Sequence, residues 1–115
     1  EQKEMEIKLN VYEKRQVVKT YTADAYDIMF GTVEDLFSVI DFDKIQSGTD
    51  KEIVVAVAQA IPKAFVLVKP LLKDVFEGIT DEEIKKCRVK DIAVALIAIA
   101  KFAIADIGAA GNSKN

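Results

Sequence analysis

Residues 91–108 read DIAVALIAIAKFAIADIG, and no side chain from Ile92 to Ala100 is polar. A surface helix of a globular protein shows one apolar stripe and one polar face. This helix has two apolar faces. On a helical wheel Val89, Ile92, Leu96, Ile99, Ala103 and Ile107 share one side, at the three-and-four spacing of a core-facing stripe. Val94, Ile97 and Ile104 share the other, around Lys90 and Lys101. Such a helix has to be covered from two directions. Either its own chain covers both, with the lysine heads reaching water along their apolar stems, or the second face meets another polypeptide. Burying each branched side chain there is worth about 1.5–3 kcal/mol, so three of them could hold a subunit contact or a partner helix. Ala93, Ala95, Ala98 and Ala100 allow close backbone approach on either reading. A bilayer is not the expected cover, because a span needs about 20 apolar residues and Lys101 would lie inside it.

The rest of the chain supplies the candidates for cover. Met5, Ile7, Leu9 and Val11 alternate with Glu6, Lys8, Asn10 and Tyr12, the period of a half-buried strand. Glu13-Lys14-Arg15-Gln16 suits a turn, and Val17 to Tyr21 suits a returning strand. A lone hairpin is marginal in water, so this one must pack on something. From Tyr26 the period changes. Tyr26, Met29, Phe30, Val33, Leu36, Phe37 and Ile40 recur at helical spacing, with Thr22 or Asp24 placed to cap. Gly31 inside that helix suggests a kink or a close helix contact.

After a loop at Gln46-Ser47-Gly48, Thr49 and Glu52 form a capping box. The helix it opens runs through Ile53, Val54, Val57, Ala60 and Ile61, and Pro62 ends or bends it. It resumes through Phe65, Val66 and Val68, Pro70 bends or restarts it, and Gly78 stops it. Thr80 and Glu83 make a second capping box, and the apolar helix then runs from Arg88 to near Gly108. The expected fold is α+β and mainly α, as one domain over residues 1–108. A β-hairpin at 5–21 packs on a helical part at 23–108, a bundle of about four to five helices, and 109–115 is a flexible tail. A chain of 115 residues buries roughly two-thirds of its unfolded surface, enough for one core.

The chemistry available is narrow. There is no histidine, which removes the commonest general base and the commonest metal ligand. Cys87 is the only cysteine, so neither an intrachain disulfide nor a usual zinc site can form. Lys85, Lys86 and Arg88 beside it would lower a thiol pKa, yet no imidazole stands by as its base. Neither a P-loop nor a dinucleotide-binding glycine motif occurs. Net charge is −3 and the basic residues are dispersed among acidic ones, which argues against a nucleic-acid footprint.

Carboxylates are the remaining catalytic option. Some all-helical nucleotide pyrophosphatases hold magnesium with Glu-x-x-Glu and Glu-x-x-Asp pairs; the nearest matches here, Asp24-x-x-Asp27 and Asp74-x-x-Glu77, differ in residue type. Asp24 and Asp27, like Asp81, Glu82 and Glu83, more simply favour a helix start through its dipole. No catalytic, metal-binding or cofactor-binding residue is assigned, and neither an enzymatic activity nor a cofactor is expected. The single cysteine and the lack of a signal-peptide pattern favour a reducing compartment.

The run TYTADAYDIMFGTVEDLFSVIDFDKI, then KPLLKDVFEGITDEEIKKCRVKDI, then the long aliphatic helix, resembles the small tail assembly chaperones of long-tailed phages and prophages of Gram-positive bacteria. The similarity extends from the first strand to about Gly108 and is most specific from Tyr26 to Leu36 and from Leu71 to Gly78. It implies a non-enzymatic protein of the host bacterial cytoplasm that binds the tape measure protein, the long helical chain that sets tail length. It implies that the client is kept soluble until tail tube subunits polymerise around it, and that the chaperone is absent from the mature virion. It further implies a longer form made by ribosomal frameshifting; Ser113-Lys114-Asn115 can be encoded as UCA AAA AAC, which contains a slippery heptamer.

A surface for such a client must hold apolar helices reversibly, as a helix-in-groove contact does. A homo-oligomer with a head-to-tail face would let many copies coat one client. Val94, Ile97, Lys101 and Ile104 are therefore the expected partner or oligomer interface, and Ile97→Asp is expected to impair assembly while leaving the monomer folded. The rival expectations are a structural connector or minor tail subunit retained in the virion, and a metal-dependent nucleotide hydrolase.

Overall fold

The computed structural model describes residues 6–24, 28–40, 43 and 47–112, with side chains in the last helix described as far as Ala103. Its period-two segment is strand β1 (Glu6–Glu13), which pairs antiparallel with β2 (Gln16–Asp24). Lys14 and Arg15 join them with φ of 53° and 70°. Two successive positive φ values make the mirror-type turn whose twist matches paired strands. Neither residue is the glycine or asparagine that such a turn favours, so contacts outside the turn have to hold it. They are present: the Tyr12 N–H donates to the Lys86 carbonyl at 2.9 Å, and Lys86 Nζ meets Glu13 at 2.8 Å. The Arg88 guanidinium lies 4.1 Å from the centroid of the Tyr12 ring.

Ile7, Leu9 and Val11 are buried, as the alternation requires, while Met5 lies outside the described residues. β2 runs beyond Tyr21 to Asp24 because Leu9, Lys8, Ile7 and Glu6 pair with Tyr21, Thr22, Ala23 and Asp24. That pairing corrects the expected cap. Thr22 and Asp24 belong to the ladder, and α1 (Phe30–Phe37) begins later, with Met29 at its N-cap and no side-chain cap bond. Tyr26 and Asp27 lie outside the described residues. Without a cap, α1 depends on burial, and Leu36 in its last turn and Ile40 just beyond it are both buried. Gly31 is in the first turn of α1, and a Cβ added there would meet nothing within 4 Å. It marks no close helix contact.

Both capping boxes form as read. At the start of α2 (Asp50–Ala60) the Thr49 N–H donates to Glu52 Oε1 at 3.0 Å, and the Glu52 N–H donates to Thr49 Oγ1 at 3.2 Å. Around Pro62 the chain breaks, and α3 (Phe65–Val75) leaves at 112° to α2. Pro70 does not restart a helix; it lies inside α3. The carbonyl it leaves without a helical donor is that of Val66, a residue 85% exposed on the solvent side, where water can serve instead. α3 stops before Gly78, whose φ of 93° few other residues adopt readily. Thr80 caps α4 (Asp81–Lys85), and α5 (Val89–Asn112) follows. α5 does not end near Gly108. Gly108 and Gly111 each cost about 1 kcal/mol, yet Ala109 and Ala110 are the best helix formers, and the helix runs on through most of the expected 109–115 tail. Residues 113–115 lie outside the description.

The fold is α+β and mainly α, with α5 at its centre. β1, α1 and α2 pack on α5, and α1 also packs on α3. Ile92, Ala93, Ala95, Leu96, Ile97, Ile99, Ala100 and Ala103 are buried, none more than 7% exposed. Val89, read from the wheel as part of the core stripe, is instead 47% exposed at the first turn. Ile107 has no described side chain. What α5 leaves open is a seam: Lys90, Val94 and Lys101 are exposed and Ala98 is half-buried between them. Among the described residues no single helix is long and apolar enough to cross a membrane.

Since Gly31 adopts helical backbone with open space at its Cβ position, Gly31→Ala is expected to raise stability by about 0.5 kcal/mol. The check is urea unfolding, where the midpoint should rise with the slope unchanged.

Candidate functional site

α2 opens at the Thr49 capping box and turns Ile53 and Val57 into the core. Val54 and Ala58 are then half-buried and Val55 is exposed, facing the seam side of α5 or the solvent beside it. Between the two helices lies an open groove of about 270 Å³ with Ile53, Val54, Val94, Ile97 and Ala98 along it. Asp50 and Lys101 close one side of it as an ion pair at 3.2 Å. The pair is exposed, so it contributes at most about 1 kcal/mol. A second cleft of about 720 Å³ shares Asp50 and Val54 with the first and continues over Val55, Ala58, Lys51 and Lys90. The two make one trough with an apolar floor and charged edges.

Three of the four expected interface residues line this trough, but with unlike roles. Val94 is 47% exposed and available to a partner. Lys101 stands at the edge, tied to Asp50. Ile97 is 7% exposed and is a floor residue of the chain's own core. The expectation that Ile97→Asp leaves the monomer folded is therefore corrected, because that change puts a carboxylate into the core. The side chain of Ile104 lies outside the described residues. The α2 half of the site, Lys51, Val54 and Val55, was missed in the sequence, whereas Lys90 lies on the face of α5 where the wheel puts it. Val55 was its signal: an apolar residue off the stripe that Ile53, Val57 and Ile61 define.

A second cluster ties the hairpin to α4. Glu83 accepts from the Tyr21 hydroxyl at 2.5 Å, from the Thr80 N–H at 3.0 Å, and faces Lys19 at 3.4 Å. Its carboxyl is held below the usual glutamate range, first by the Tyr21 hydroxyl and then by the Thr80 N–H. Asp81 bridges α4 to α3 through Lys73 at 2.5 Å and Lys69 at 3.2 Å, and both lower its pKa, Lys73 first. These groups fasten elements together.

Cys87 corrects another expectation. Its pKa is pushed up to about 11, by burial first and then by Asp91 and Glu83. The basic neighbours point elsewhere: Lys86 to Glu13 and Arg88 to the Tyr12 ring. The thiol donates to the Glu83 carbonyl at 3.3 Å and stays protonated at neutral pH. Asp24 is in β2 and Asp27 lies outside the described residues, so the first carboxylate pair is not a helix-borne pair; Asp74 is in α3 and Glu77 follows its end. Among the described residues no group of three or more His, Cys, Asp or Glu side chains is placed to hold a metal. Compared with known protein families, curated proteins and solved structures, the chain matches none.

Two outcomes follow from this geometry. The folded state favours the ionised form of Glu83, so its contribution is complete above the usual glutamate range and is lost as the pH falls through its lowered folded value. Glu83→Gln should therefore lower the urea midpoint at about pH 7, and the gap from wild type should narrow towards about pH 3. The second concerns the trough. Ile97→Asp should cost at least about 3 kcal/mol in thermal or urea unfolding. Val94→Asp, at a half-exposed site, should stay within about 1 kcal/mol of wild type.

Proposed function

We propose that this chain is a non-enzymatic phage tail assembly chaperone that binds the tape measure protein and keeps it soluble during tail assembly. The observation that carries the reading is the apolar trough between α2 and α5, open to solvent and edged by charge. A client made of long apolar-striped helices needs a surface of this kind, which exchanges one helix face for another without covalent chemistry. The resemblance over Tyr26–Leu36 and Leu71–Gly78 supports the same reading. In it the protein works in the host bacterial cytoplasm, in several copies along one client, together with a frameshifted longer form. It hands the client to tail tube subunits and is left out of the virion.

Co-expression tests this directly. With the chain present, a tape measure protein of the same phage should move from the insoluble to the soluble fraction and copurify with it. Mass spectrometry of purified virions should then find no copies of the chain. A client that stays insoluble would sink the proposal, and a chain retained in virions would favour a connector or minor tail subunit instead.

A further inference from the structure

The trough has a sign. The chain as a whole carries −3, yet the charged residues along the two clefts are Lys51, Lys90, Lys101 and Asp50. Asp50 is taken up by Lys101. Lys51 and Lys90 are exposed and, among the described residues, have no carboxylate partner, whereas Lys69, Lys73 and Lys86 each have one. An acidic chain thus carries a local surplus of cations around an apolar floor.

We propose that the trough selects an amphipathic helix whose apolar stripe is flanked by carboxylates, so that the bound client segment is acidic at its edges. The proposal deepens the chaperone reading and rests on it for the identity of the client. The floor at Val54, Val55 and Val94 would take apolar side chains spaced three and four apart. The lysine stems would lie along the flanks of such a helix and carry their ammonium groups to acidic residues beside the stripe. A helix flanked by lysines would bring like charges together across the same contact, which the surface therefore rejects. The clefts are open along their length, which suits a helix face better than a small molecule, whose sites enclose most of the ligand.

The test uses the full chain and two synthetic helical peptides that share one leucine stripe and differ only in flanking residues, glutamate in one and lysine in the other. Fluorescence anisotropy at low salt should show the glutamate peptide binding at least about tenfold tighter, with the gap closing as salt is raised. Lys51→Glu combined with Lys90→Glu should reverse the order. Val94→Asp should weaken both peptides at least about tenfold while the circular dichroism of the chain is unchanged. Val55→Asp, on the other helix, gives the same reading should Val94→Asp fail to fold.

Equal affinities, a preference for the lysine peptide, or an order that survives the charge reversal would each overturn the proposal. So would sedimentation showing self-association that the glutamate peptide cannot displace, because a second copy would then own the trough. If the charge-reversed chain still retains the tape measure protein undiminished, the acidic-client inference fails and the chaperone reading stands. If the peptides are discriminated as expected while wild type retains no tape measure protein, the inference stands and the chaperone reading fails.

Discussion

A helix buried on nearly every side leaves its chain few arrangements. α5 satisfies its own backbone hydrogen bonds, but its side chains from Ile92 to Ala103 need cover from several directions at once. The alanines in that stretch set the distances. Ala93, Ala95 and Ala100 are each at most 2% exposed, so neighbouring elements come close to the α5 backbone instead of resting on long side chains. β1, α1 and α2 meet this demand, and α3 and α4 are reached by way of them or of the loops between. The hairpin is stable only as part of that cover.

The polar contacts decide where the cover sits more than how strongly it holds. Apolar burial is non-directional, and a two-stranded ribbon could slide along α5 with little change in area. Contacts from β1 and β2 to the segment that runs from α4 to the start of α5 prevent this. Tyr21 meets Glu83, Tyr12 and Glu13 meet Lys86, and the Tyr12 ring meets Arg88. Glu83 serves twice, closing the cap of α4 and receiving the strand. Local helix chemistry and tertiary register thus agree at one carboxylate, the kind of consistency that gives a sequence one structure. The same contacts explain why Lys14 and Arg15 can stand in a turn that favours asparagine and glycine.

Much of this was legible in the sequence because it rests on local rules. The period-two run in β1, both capping boxes, the break at Pro62 and the stop at Gly78 involve residues within a few positions of one another. The misreadings share a different cause. Thr22 and Asp24 are good caps by type, but pairing with Lys8 and Glu6 draws them into a strand, and no local pattern reports a partner that far away. Pro70 is tolerated where the residue whose carbonyl it orphans, Val66, is exposed, a fact of orientation. The cations around Cys87 were counted by sequence distance, whereas tertiary partners turn Lys86 and Arg88 away from it. Ile97 and Val94 were placed on one face correctly, since both line one groove. A wheel gives direction around a helix and says nothing of how close the next element comes, so it could not tell that α2 covers one and spares the other.

That distinction bears on why the trough exists at all. Valine is a weaker helix former than alanine, lysine or glutamate, and at an exposed helical position packing does not compensate for the difference. Val55 and Val94 are 48% and 47% exposed, on two helices, beside one another's groove, and each leaves about half its surface in water in the isolated chain. A sequence optimised only for this fold would carry a lysine or glutamate at both positions, as it does at neighbouring Lys51, Glu52 and Lys90. Scattered exposed apolar residues are ordinary, but these two line adjoining clefts that share Val54. Local propensity and the fold's own packing both disfavour them there, and departures of that kind gather where a surface serves something besides its own stability. Such a residue recovers what it forgoes in the folded monomer when a second apolar surface covers it, and the lysines on either side of the floor then restrict which surface that can be.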